Sequence, residues 1–134
     1  MTRFVIDAPT LVHLVDHDLT VDPDHQLVAP SGIRSQALEL LLAQVLRGER
    51  DEATVRSTHE RMTEMRMRLL GDRVSRMTAW RIARERGWAT LRDAEYLAVA
   101  RLQADALVSV DPDLVAAAEG VVPVAPLSAL LGPG

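Results

Sequence analysis

Short apolar runs alternate along this chain with longer stretches of helical periodicity. Phe4-Val5-Ile6 has the length and character of a buried strand, and a helix is predicted over 8–15, with Pro9 tolerated in its first turn. The polar stretch 16–25 ends that helix. Gln26-Leu27-Val28-Ala29 predicts a second strand, stopped by Pro30. Ser31 then suits the N-cap of a long Leu- and Ala-rich helix to about residue 46, with Gly48 just past its end. A third helix is expected over 51–70. Asp51 and Glu52 stand at its positive end, and Val55, Met62, Met65 and Leu69 recur on one buried stripe. Gly71-Asp72 breaks the pattern. A fourth helix, capped by Ser75, runs to Arg86 and is closed by Gly87. Thr90-Leu91-Arg92-Asp93 has the form of a capping box opening a fifth helix to about residue 104. Ala106 to Val110 is a third strand, and Asp111-Pro112-Asp113 turns into a short helix through 118. Val121-Val122 is expected to form a fourth strand, and 126–131 a last helical turn before a Gly-Pro-Gly end.

Strand, helix, strand, several helices, strand, helix, strand is the order of an α/β fold. A three-layer α/β/α sandwich with a small parallel sheet follows from it. At 134 residues the chain is expected to form one domain, with no internal repeat and no linker that would split it. Aromatic residues make up only 3%, so the core must be aliphatic. The chain has no cysteine, which excludes disulfides, thiolate metal sites and a cysteine nucleophile. That suits a reducing, cytoplasmic setting. No basic segment followed by a long apolar one opens the chain, and no apolar run approaches the roughly 20 residues that span a bilayer.

The net charge of -4 hides an asymmetry. Between Arg56 and Arg92 ten arginines stand against four acids, and every basic residue of the chain is arginine. Such a stretch is either a solvated helical face or a wall that meets phosphate groups, which arginine grips in a bidentate manner.

Three aspartates carry the candidate chemistry. Asp7 closes the first strand, Asp111 closes the third, and Asp93 opens the helix that feeds the third. The carboxyl ends of parallel strands share one edge, where ligands bind, so acids far apart in sequence can converge in one cleft. Two carboxylates about 4 Å apart repel by roughly 4 kcal/mol at an effective dielectric near 20, a cost that a divalent cation offsets. All-oxygen ligands select Mg2+ or Mn2+. Each acid also has a plain structural role available: Asp7 as a helix cap, Asp93 as the acid of the capping box, Asp111 as the start of an Asp-Pro turn. The four histidines, His13, His17, His25 and His59, are scattered and fit surface or satisfied positions.

Phe4-Val5-Ile6-Asp7 with Leu11-Val12, Leu27-Val28-Ala29-Pro30-Ser31, Asp93-Ala94-Glu95-Tyr96-Leu97-Ala98-Val99-Ala100 and Leu107-Val108-Ser109-Val110-Asp111 together resemble the PIN-domain family. Single-domain members of this length are mostly VapC-type toxins. The resemblance implies a metal-dependent endoribonuclease using Mg2+ or Mn2+, a VapB-type antitoxin as partner and a homodimer. It places Asp7, Asp93 and Asp111 at the acidic positions, Ser109 at the hydroxyl position, and Asp113 as an additional or substitute ligand. The glutamate usual six residues past Pro30 is Gln36 here. Its amide offers a carbonyl oxygen but no charge, so weaker metal binding is expected, with Glu39 one turn along as a partial substitute. The small polar residue expected two positions after the first aspartate is replaced by Pro9, next to Thr10. Arg34, in the first turn of the long helix, is a candidate for holding a neighbouring phosphate. Three functions remain open at this point: a toxin-type ribonuclease, a weakened domain that binds RNA or protein without cutting, and a metal-dependent DNase or phosphatase.

Overall fold

The structure, a computed structural model, describes residues 1–132; Pro133 and Gly134, which complete the Gly-Pro-Gly end, lie outside the described residues. The elements are β1 (Arg3–Ile6), α1 (Ala8–Asp16), β2 (Gln26–Pro30), α2 (Ile33–Leu46), α3 (Glu52–Glu64), β3 (Arg68–Leu70), α4 (Arg73–Arg86), α5 (Arg92–Gln103), β4 (Ala106–Val108) and α6 (Pro112–Ala118), followed by a short 3-10 turn at Leu127–Ala129. The strands form one parallel sheet in the order β3-β2-β1-β4. Phe4-Val5-Ile6, Leu27-Val28-Ala29 and Leu107-Val108 are buried, as strands covered by helices on both sides must be.

Connectivity dictates the layers. The crossovers from β1 to β2 and from β2 to β3 progress in one direction across the sheet, whereas the crossover from β3 to β4 returns past β2 and β1. Right-handed crossovers in opposite directions place their helices on opposite faces. Packing agrees: α1, α2 and α3 contact one another, while α5 lies along β1, β2 and β4 with α4 packed on it. The result is a three-layer α/β/α sandwich. Its core is Leu, Val, Ile and Ala with Met62, and Phe4 and Tyr96 are its buried aromatic members.

Six local expectations are corrected. The third helix stops at Glu64, and Arg68–Leu70 is the edge strand β3, paired with Val28–Pro30 of β2. Helical spacing of Met62, Met65 and Leu69 loses here to hydrogen bonds that only the neighbouring strand supplies, and Leu69 is 38% exposed rather than part of a buried stripe. Pro30 belongs to β2, where it stands at the strand end opposite Leu70. No strand forms at 121–122; the chain instead touches β4 two residues later, through hydrogen bonds between Leu107 and the backbone of Pro123 and Ala125. The helix caps also differ. Gly32 rather than Ser31 opens α2, Asp72 rather than Ser75 caps α4, and α5 starts from Leu91 with no side-chain cap.

Candidate active site at the carboxyl edge of the sheet

The strand order reverses direction between β1 and β4, so the crevice at their carboxyl ends is the place where an open parallel sheet receives ligands. Register brings the first two site residues together. Ile6 pairs with Val108, which makes Asp7 and Ser109 the next positions beyond the ladder. Ser109 Oγ donates to Asp7 Oδ2 at 2.7 Å. The Asp111 N–H donates to Ser109 Oγ at 2.9 Å, and Asp111 Oδ1 accepts from the Asp113 N–H at 2.9 Å, capping α6.

Asp7 is 2% exposed. It is the N-cap of α1, its Oδ1 accepting from the Thr10 N–H at 3.1 Å and from the Thr10 hydroxyl. Thr10 Oγ in turn accepts from the Val110 N–H at 3.0 Å. The threonine, 0% exposed, thus ties the start of α1 to the segment leaving β4.

Asp93 is free of the capping role its sequence context suggests, because α5 begins without a side-chain cap bond. Its carboxylate lines the same cleft as Asp7 and Asp111, together with Ala8, Pro9, Gln36, Glu39, Leu40, Arg92 and Tyr96, around a volume of about 310 Å³. Burial is the largest cause raising the Asp7 pKa. The bonds from Thr10 and Ser109 oppose it, and the charge of Asp111 adds to it. Asp93 is raised by desolvation, then by the charges of Asp111, Asp7 and Asp113, with Arg92 opposing. These mutual effects are the electrostatic signature of acids sharing one region. Asp113 contributes to that field but does not line the cleft.

The other predicted positions divide. Gln36 and Glu39 line the cleft from α2, one helical turn apart. Arg34 does not line it. Its guanidinium donates to the carbonyls of Met62 at 3.4 Å and Met65 at 2.9 Å, which closes the carboxyl end of α3 and helps to end that helix before β3. The arginine at the cleft is Arg92, exposed and 3.7 Å from Glu39. Tyr96, also missed from the sequence, stands three residues after Asp93 on the same face of α5. It is 3% exposed, and its hydroxyl donates to Gln36 Oε1 at 2.6 Å. Burial, followed by the charge of Asp7, pushes the Tyr96 pKa up, so it remains a neutral donor. A sequence signal existed for Tyr96, which follows Asp93 at the i+3 spacing of one helix face, whereas Arg92 is only its chain neighbour. The histidines stay outside the cleft: His13 and His17 lie side by side with ring centres 4.2 Å apart, and His25 packs edge-on against Phe4.

The acids fit a hard cation in kind, being oxygen donors whose repulsion a cation would relieve. They do not form a ready-made cage: among the described residues no three acidic or imidazole groups lie within reach of one ion. A larger cavity of about 630 Å³ lies at the opposite edge, beside Gln26 and Arg68 where β2 and β3 begin, away from the carboxylates.

No family model matches the chain, and no curated protein matches it. Among solved structures it is similar to the crystal structure of PAE2754 from Pyrobaculum aerophilum, at 23% identity over 96% of this chain and 92% of that one, with a TM-score of 0.73. A likeness of this extent at this identity establishes a shared fold: the chain has the three-layer α/β/α architecture of that protein.

Proposed function

We propose that this protein is a metal-dependent endoribonuclease of the PIN type, the toxin half of a VapBC-type toxin–antitoxin pair, acting in the cytoplasm as a homodimer. The observation that carries the proposal is the convergence of Asp7, Asp93 and Asp111 on one cleft at the sheet's switch point. Asp7, Asp93 and Asp111 would hold Mg2+ or Mn2+, with Asp113 adding negative charge from outside the cleft lining. The ion, when bound, supplies Lewis-acid stabilisation of charge on phosphate and lowers the pKa of water.

The chain's own residues do the rest. Thr10 and Ser109 fix the Asp7 carboxylate, so its orientation is set before a ligand arrives. Asp93, with no hydrogen-bond partner among the described residues, is free to turn toward the cleft centre. Arg92 gives the rim a cation that can contact a phosphate next to the one being cut. Ten arginines between Arg56 and Arg92 favour a polyanionic substrate over a small phosphate ester.

The test is cleavage of structured RNA by protein stripped with chelator and then given Mg2+ or Mn2+. Metal should restore cutting, and Asp7→Asn or Asp93→Asn should abolish it. RNA, single-stranded DNA and a small phosphate ester digested side by side separate the ribonuclease from a DNase or phosphatase. Gln36, at the position where the PIN pattern has glutamate, favours a second reading: a weakened PIN-like domain that binds RNA or a protein partner without cutting. RNA affinity with no turnover in excess Mn2+ would select it.

A further inference from the structure

We infer that Gln36 serves the cleft as a hydrogen-bond donor to an anionic phosphate oxygen of the substrate, not as a substitute metal ligand, and that Tyr96 is the positioning residue that sets it in that role. The inference rests on the phosphodiesterase reading of the cleft and assigns part of its substrate recognition.

The argument starts from the two ends of one amide. Gln36 Oε1 accepts the Tyr96 hydroxyl at 2.6 Å. With the hydroxyl donating to Oε1, the NH2 end of the Gln36 amide is left on the side away from the tyrosine. Tyr96 is 3% exposed and stays protonated, so the lock does not loosen by ionisation.

One lone pair of the carbonyl oxygen, the only atom of Gln36 able to ligate a cation, is therefore taken by the tyrosine. Its amide nitrogen makes no hydrogen bond to any described residue, and it lies toward Gly32, where a Cβ would stand 3.6 Å away. A side chain on the cleft wall thus offers two unused N–H donors. A glutamate at this position would repel a phosphate; an amide attracts one. Arg92 is the other donor lining the same cleft. Asp7, Asp93 and Asp111 are then suited to a cation, while Gln36 and Arg92, the latter 3.7 Å from Glu39, offer donors to an anion in the same cleft. A charge-assisted bond of this kind is shorter and stronger than a neutral one.

The experiment measures two affinities on intact protein. Mn2+ binding is read by calorimetry. Binding of a fluorescein-labelled RNA oligonucleotide is read by anisotropy with Ca2+ present, so that no strand is cut. Gln36→Ala should weaken RNA binding about tenfold, the scale of one hydrogen bond to a charged group. Gln36→Glu should weaken it further while leaving Mn2+ affinity within about threefold of wild type. Tyr96→Phe should weaken RNA binding several-fold when Gln36 is present and have no further effect on RNA when combined with Gln36→Ala, a dependence that a merely structural tyrosine would not show. The inference is overturned if Gln36→Glu tightens Mn2+ about tenfold or more with RNA affinity kept, or if Tyr96→Phe costs the same in both backgrounds. Those results leave the nuclease proposal standing as long as wild type cuts RNA. A wild type that binds neither Mn2+ nor RNA overturns both.

Discussion

Asp7→Asn should make the protein more stable at neutral pH while removing the proposed activity. Asp7 is 2% exposed and carries its charge beside Asp111 and Asp93. Holding an ion in such a place costs about 4 kcal/mol even after relaxation. Repulsion from the neighbouring acids adds about 1 kcal/mol at the dielectric of a partly wetted cleft. Against this, the carboxylate accepts from the Thr10 N–H, the Thr10 hydroxyl and the Ser109 hydroxyl. Bonds to a charged acceptor exceed neutral ones by about 1 kcal/mol each, so about 3 kcal/mol returns. The asparagine amide keeps the shape and the two Thr10 bonds, and a net gain of about 2 kcal/mol is expected. For a domain of this size that raises Tm by about 5–10 °C.

The pH dependence gives the prediction its sign. The folded pKa of Asp7 is raised above its unfolded value. Its contribution to stability is therefore fully present below the unfolded pKa, about 3.9, and is lost as pH rises through the folded value. Melting curves in chelator should show wild type and variant close together near pH 4 and the variant ahead by pH 7. A variant that melts at or below wild type at pH 7, or a gap that does not change with pH, would refute the claim that burial outweighs the Thr10 and Ser109 bonds.

Three further outcomes are expected. Thr10→Val removes one bond to Asp7 and leaves the Val110 N–H without its acceptor, so denaturant melts should show a loss of about 1–3 kcal/mol. Arg34→Met should lower stability by about 1–2 kcal/mol by releasing the Met62 and Met65 carbonyls, with RNA affinity unchanged; a selective loss of RNA binding would restore the phosphate role to Arg34. Mn2+ at a hundredfold excess over its Kd should stabilise wild type by about 2.7 kcal/mol in thermal melts and do much less for Asp93→Asn.

The sequence by itself determined the parts that depend on near neighbours. Phe4-Val5-Ile6, Leu27-Val28-Ala29 and Ala106-Leu107-Val108 are apolar runs too short for helices and are strands. Parallel connection then forces their carboxyl ends to one edge, so Asp7 and Asp111 were legible as cleft residues, and Asp93 followed from opening the helix that returns to β4. Tertiary structure decided whatever rests on a distant partner. Residues 68–70 are a strand because β2 offers them a ladder that their own helical spacing cannot match. Arg34 turns from a cleft candidate into a helix stop because α3 ends beside it, 28 and 31 positions later in the chain. Asp93 leaves its capping box for the cleft, and Tyr96 reaches Gln36 across 60 positions. Local patterns report the conformations a segment prefers alone; long-range hydrogen bonds and burial determine which side chains are consumed by the fold and which remain available to a ligand.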